Sequence, residues 1–201
     1  MTDSSIKLDS GSSTTSLSLL NRARRKESGA WDRLVSLYTP LVYCWCRRIG
    51  LQEADAADMG QEVFQAVARK LKDFRRDRAG DTFRGWLKVI TRNKLRDFAQ
   101  AKAQAKVGIR GGKLDALIHP PPDPTLDDVQ NKEEIRILYR RAMELIERDF
   151  TEKTWQAFWL VSIDDRSPAD AASDLGMSIN SVYLAKSRIL KRLREEFAEL
   201  L

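Results

Sequence analysis

Residues 83–100 read Phe83-Arg84-Gly85-Trp86-Leu87-Lys88-Val89-Ile90-Thr91-Arg92-Asn93-Lys94-Leu95-Arg96-Asp97-Phe98-Ala99-Gln100. Phe83, Trp86, Leu87 and Ile90 recur at the three- and four-residue steps of a single helical face, so the stretch is predicted to be an amphipathic helix. Another face carries Arg84, Lys88, Arg92 and Arg96 at strict i,i+4 spacing. Like charges so placed destabilise an isolated helix by roughly 0.2–0.5 kcal/mol per pair, and the row therefore calls for a compensating anion such as a nucleic-acid backbone. Just upstream, Phe74-Arg75-Arg76-Asp77-Arg78 leads into a polar loop. Cations interleaved with aromatic rings and an amide, here Asn93, suit unpaired nucleic acid, which offers phosphates to attract and bases to stack. For Phe83 and Trp86 themselves, a place in the core is the simpler reading.

Outward from this helix, helical periods run from Leu17 to about Lys106, with turn signals at Gly29, Pro40, Gly50 and 77–81. In Ala54–Phe74, Met59, Val63, Val67 and Phe74 share one side, while Asp58, Gln61, Glu62 and Gln65 share the other, with Asp55 at its edge. An acid and amide face repels a polyanion. It is either solvated surface or a docking face for a protein presenting Arg or Lys. Gly60, inside this helix, costs about 1 kcal/mol relative to Ala, which suggests close packing or a local bend there.

Residues 1–16 are rich in Ser and Thr and read as a disordered tail. Gly108, Gly111, Gly112, Pro120, Pro121, Pro122 and Pro124 mark residues 107–130 as a linker. Helical patterning returns over 131–201. The expected architecture is all-α, with two small helical domains (17–106 and 131–201) on a flexible Gly/Pro-rich linker.

In the second unit a first helix is expected from about Lys132 to Glu147, and a second from Thr151 as N-cap. Ser167-Pro168-Ala169-Asp170 combines an N-cap, a proline at the first helical position and an acid at the third. That helix ends at Leu175-Gly176, and Ser178 caps a last one from Ile179 to about Phe197. Helix, glycine turn and helix make a helix-turn-helix. Val182, Ala185, Ile189 and Leu193 form its apolar stripe; opposite stand Asn180, Leu184, Ser187 and Lys191, flanked by Arg188 and Arg194. Small polar residues ahead of cations suit a major groove, although an ordinary surface helix also carries cations outside.

The net charge of +6 conceals a segregation. Residues 1–68 are neutral, and 69–113 hold fifteen Lys/Arg against four Asp/Glu, a net +11. Residues 114–178 carry −7 and 179–201 carry +2. A block of +11 favours a polyanionic partner over a merely soluble basic surface. Cys44 and Cys46 are the only cysteines and His119 the only histidine. They make no zinc set, and neither a metal nor a cofactor is expected. Walker A, G-x-S-x-G and H-E-x-x-H motifs are missing, so the chain is not read as an enzyme. No apolar run approaches the roughly 18 residues of a membrane span. The N-terminus lacks the apolar stretch of a secretory signal, so a cytoplasmic location is expected.

The run Asp58-Met59-Gly60-Gln61-Glu62-Val63-Phe64, followed by Phe83-Arg84-Gly85-Trp86-Leu87 and Thr91-Arg92-Asn93-Lys94-Leu95-Arg96-Asp97, resembles domain two of bacterial RNA polymerase sigma factors. With a C-terminal helix-turn-helix and no other module, the layout resembles the extracytoplasmic-function (ECF) subfamily of the sigma-70 family, over residues 18–105 and 131–199. Met59-Gly60 departs from the bulky aliphatic pair usual before Gln-Glu. The resemblance implies a transcription initiation factor whose Asp58, Gln61 and Glu62, with Gln65 on the same face, dock on the clamp helices of the polymerase largest subunit. It implies capture and melting of the −10 promoter element by the 74–82 loop and its neighbours: Arg75, Arg76, Arg78, Arg84, Lys88, Arg92, Asn93 and Arg96. It further implies reading of the −35 duplex by Asn180, Ser181, Leu184, Lys186, Ser187, Arg188 and Lys191. The implied partners are core RNA polymerase (clamp helices and flap) and promoter DNA, both duplex and melted non-template strand. An anti-sigma factor would be a further one. Two readings from other classes stay open. One is a stand-alone helix-turn-helix regulator whose N-terminal unit senses or dimerises; the other is a metal-dependent nuclease using Asp55, Asp58 and Glu62.

Overall fold

The computed structural model describes residues 19–75, 77, 81–105 and 124–197. The expected tail (1–16), most of the expected linker (107–123), Arg76 and Arg78 lie outside the described residues. The elements are α1 (Leu19–Arg24), α2 (Ala30–Arg48), α3 (Glu53–Lys70), a 3-10 turn (Leu71–Asp73), α4 (Phe83–Ala105), α5 (Pro124–Glu147), α6 (Glu152–Ser162), α7 (Pro168–Leu175) and α8 (Ile179–Phe197). Among the described residues there is no strand. The fold is all-α.

Local chemistry sets the starts of the last three helices. Thr151 accepts from the Thr154 amide, Ser167 from the Asp170 amide at 3.1 Å, and Ser178 from the Ser181 amide at 3.1 Å, each oxygen serving an amide that has no intrahelical acceptor. Gly176 ends α7 with φ 55, a left-handed conformation that carries no penalty without a Cβ, and the Met177 amide returns to the Ala172 carbonyl at 2.8 Å.

Two prolines depart from expectation. Pro40 lies inside α2 rather than at a turn. It brings no N–H to the Ser36 carbonyl, and Nε of Arg141, from α5, donates to that oxygen instead at 2.9 Å. A long-range contact thus fills the gap in the helix. Pro124 starts α5 ahead of the expected Lys132, so residues 124–130, read as the end of the linker, are helical. A proline is tolerated there because the first-turn amides have no intrahelical partner.

The apolar stripes face inward as the periodicity requires. Met59, Val63 and Val67 of α3, Phe83, Leu87 and Ile90 of α4, and Val182, Ala185, Ile189 and Leu193 of α8 are all buried. One core runs through both halves of the chain, because α5 lies against α2 and its Leu138, Ala142 and Ile146 join the cluster of α1–α4. The end of α8 reaches the same core, where Phe197 and Glu196 meet Leu19, Leu20, Leu34 and Leu37. A satellite core of Ala157, Ala171, Ala172, Val182 and Ala185 holds the helix-turn-helix together.

Glu196 is fully buried and pairs with Arg33 of α2 and, at 2.8 Å, with Arg192. Burial pushes its carboxyl pKa up, against the pull of Arg192 and Arg33. The Cys46 thiol, enclosed by the core, is pushed up to about 12 by the same effect and is an inert packing group.

Candidate nucleic-acid interface

Helix α4 is set by an aromatic knot at its start. The Phe83 ring lies 4.9 Å from Tyr38, 5.7 Å from Phe74 and 5.5 Å from Trp86. Phe83 and Phe74 are buried and Trp86 is half-buried, so these rings are core rather than stacking platforms. Arg24 donates from Nε to the Leu71 carbonyl at 3.2 Å and from Nη2 to the Phe74 carbonyl, and it stacks 5.3 Å over the Phe74 ring. The start of the 74–82 loop is therefore anchored on both sides. At its far end Asp81 accepts from the Asp77 amide, and Thr82 accepts from the Gly85 amide at 3.0 Å, capping α4.

The cationic row of α4 divides. Asn93 and Arg96 are exposed and joined by a 2.7 Å hydrogen bond; Arg92 is half-buried on the same helix, and Arg75 is exposed at the loop start. Arg84 and Lys88 do not stand free. The Lys88 Nζ donates to Glu134 of α5 at 2.9 Å, Arg84 lies 3.6 Å from the same carboxylate, and Trp45 Nε1 donates to it at 2.8 Å. The anion that the i,i+4 row called for is, for two of its four members, an internal one. Glu134 was not among the residues singled out in the sequence; only its place in an acidic stretch could have drawn attention to it.

On α3, Asp58, Gln61, Glu62 and Gln65 are all exposed, as the helical arithmetic requires. Glu62 pairs with Lys94 at 3.3 Å and Asp55 with Lys102 at 2.9 Å, both at the surface. Among the described residues no three His, Cys, Asp or Glu side chains are placed to hold a cation, and the nuclease reading finds no support in this cluster. Beside the acidic face runs a groove of about 670 Å³ between α2 and α3, lined by Trp31, Val35, Tyr43, Gly60, Gln61, Phe64 and Gln65. The close packing expected at Gly60 is not there: a Cβ would meet nothing within 4 Å. Gly60→Ala is accordingly expected to stabilise the chain by about 1 kcal/mol in urea unfolding, and a loss of stability would refute the open-space account.

On α8, Asn180, Leu184, Ser187, Arg188 and Lys191 form one exposed face, with Ser181 half-buried at its edge. Tyr183, at 56% exposure, and Ile179 extend that face and were not among the residues singled out in the sequence. Lys186 stands apart: it is half-buried and lines, with Leu190 and Leu193, a second and larger groove against α5 and α6. Trp155, Phe158, Trp159 and Met143 form the apolar floor of that groove.

Residues 34–104, which contain the α3 face, the 74–82 loop and nearly all of α4, match the family described as Sigma-70 region 2. The chain is also 24% identical over 170 residues to the ECF RNA polymerase sigma factor SigE of Mycolicibacterium smegmatis. Over residues 34–104 the chain is thus similar to region 2 of the sigma-70 family. The likeness to SigE covers 85% of this chain. The match takes in 62% of the length of SigE. No helix among the described residues is long and apolar enough to cross a membrane.

Proposed function

We propose that this chain is a transcription initiation factor that binds core RNA polymerase and directs it to promoters. The observation that carries the reading is the separation of three surfaces on one fold. The acid and amide face of α3 lies beside an apolar groove; the cationic face of α4 adjoins the anchored 74–82 loop; and the polar, cationic face of α8 is presented by a helix-turn-helix. Residues 17–106 are assigned to polymerase binding and the −10 element, residues 131–201 to the −35 element, with 107–130 as the connection.

In this reading Asp58, Gln61, Glu62 and Gln65 meet cations on the clamp helices, while the groove at Gly60 and Phe64 takes the apolar part of the contact. Arg75, Arg76, Arg78, Arg84, Lys88, Arg92 and Arg96 bind the backbone of the −10 strand, and Asn93 offers an amide to an unpaired base. No covalent step is involved. Contacts to the extruded base and its phosphates offset an unstacking cost of a few kcal/mol. Asn180, Ser181, Leu184 and Ser187 meet base edges of the −35 duplex, and Arg188 and Lys191 its phosphates, while Lys186 faces the second groove. The apolar groove between α5, α6 and α8 suits the polymerase flap. An anti-sigma factor would have to cover one of these same surfaces. The place of action is where polymerase is, the cytoplasm.

The test is binding to core polymerase followed by run-off transcription. Asp58→Ala combined with Glu62→Ala is expected to weaken core binding by about tenfold or more, the cost of losing two charged interface contacts. Unchanged binding and initiation by a folded double variant would refute the docking assignment. Tight sequence-specific duplex binding by the chain alone would favour the stand-alone regulator.

A further inference from the structure

The cation pair Arg84 and Lys88 is covered by the chain itself. Glu134 is 2% exposed, and its carboxylate is held by Lys88 at 2.9 Å, Trp45 Nε1 at 2.8 Å and Arg84 at 3.6 Å. Arg84 also donates to the Asn131 carbonyl at 3.4 Å, and Lys88 lies 5.7 Å from the centre of the Trp45 ring. One turn of α5 thus seats a carboxylate where three donors converge, and a second ion pair, Arg48 with Glu133 at 2.8 Å, closes its outer edge.

We propose that the turn of α5 carrying Glu133 and Glu134 masks the nucleic-acid site of α4, with Glu134 standing in for a backbone phosphate, so that the chain alone is self-inhibited until α5 lifts. The proposal rests on the reading of α4 as a nucleic-acid surface. Its physical basis is that the two anions cannot share the site. A phosphate brought to Lys88 would face the Glu134 carboxylate at ion-pair distance, and the low dielectric there magnifies the repulsion. Drawing Lys88 away while α5 stays in place would leave a buried carboxylate short of its partner, which is among the costlier defects a fold can carry. Occupation of Arg84 and Lys88 by nucleic acid is therefore coupled to departure of α5. The apparent affinity of the free chain is lowered by the small fraction of molecules that are open. Arg92 and Arg96, further along α4, lie outside the mask and give it a partial, unmasked footing.

The experiment uses the full chain and a short fluorescein-labelled oligothymidine, followed by anisotropy over a salt titration. Glu134→Gln keeps the volume and an acceptor for Trp45 while removing the charge. If the open form is about a tenth of the population, this variant tightens binding by about tenfold. Release of two cations also steepens the dependence of log K on log salt by roughly 1.4. Adding Lys88→Ala should remove most of that gain; a gain that persists undiminished overturns the mask. If Glu134→Gln changes neither affinity nor slope while Arg92→Ala with Arg96→Ala weakens binding, the mask is wrong and the nucleic-acid reading of α4 stands. If none of these substitutions alters binding, that reading falls and the proposal with it. A measurement on the unmodified chain guards against a misfolded variant. Hydrogen exchange over 131–146 should quicken at saturating oligonucleotide, and unchanged protection overturns the proposal.

Discussion

Phe83→Ala is expected to lower the unfolding free energy by roughly 3–5 kcal/mol, the range for removing a buried aromatic ring. The site is poorly able to collapse. Phe83 is 1% exposed and its ring is enclosed by Tyr38 of α2, Phe74 at the loop start and Trp86 one turn along α4. Each neighbour is itself fixed: Arg24 clamps Phe74, and Tyr38 belongs to the core face of α2. The hole would therefore stay largely open. Urea unfolding followed by circular dichroism measures the loss, and a change below about 1 kcal/mol would mean that the ring is not the keystone described. Because the knot anchors both ends of the 74–82 loop, the same substitution should quicken hydrogen exchange at the Phe74 and Gly85 amides more than in the helix-turn-helix.

Arg33→Ala is expected to cost roughly 3 kcal/mol, the lower part of the range for breaking a buried ion pair, since Arg192 remains beside Glu196. Arg33 also donates to the Leu145 carbonyl at 3.1 Å and lies 3.4 Å from Asp149, so one side chain ties α2 to the end of α5 and to α8. The pH dependence gives the charge part of the effect a signature. Burial already raises the Glu196 pKa above its ordinary value of 4.5, and Arg33 is one of the groups holding it down. A raised carboxyl pKa contributes stability that is fully present below the unfolded value and is lost as pH rises through the folded one. Removing Arg33 raises the folded pKa further. The deficit of the variant should therefore shrink as pH falls from 7 towards 4.5. Arg22, which also faces this carboxyl, is unchanged in the variant, while Asp149 loses Arg33 but keeps Arg192 at 2.9 Å. A deficit independent of pH would assign the loss to packing and the Leu145 bond alone.

Features written in neighbouring residues were legible. Ser167 with Asp170, Gly176 and Ser178 define the helix-turn-helix through contacts three or four positions apart, and the apolar stripes of α3, α4 and α8 followed from helical arithmetic. Pro40 and Pro124 were misread because a proline's effect depends on what surrounds it. The first is tolerated where Arg141, about 100 positions away in the chain, supplies the missing donor, and the second where no donor is needed. Of the candidate site, residue positions on faces were readable, since faces are periodic. That Arg84 and Lys88 already hold an anion was not readable, because Glu134 lies 46 residues from Lys88 and no local pattern pairs them. Lys186 illustrates the same limit: sequence marks it as a cation near a recognition face, while packing turns it into the wall of a groove.

The order of the helices along the chain gives the shared core a history during synthesis. α2 leaves the ribosome about 90 residues before Leu138, and at the usual ~5–20 residues per second that is an interval of roughly 5–20 s. Throughout it the face of α2 that α5 will cover is bare, the Ser36 carbonyl has water in place of Arg141, and the cations of α4 lack their internal anion. A newborn N-terminal half thus exposes for some seconds the cations that the finished fold pairs internally.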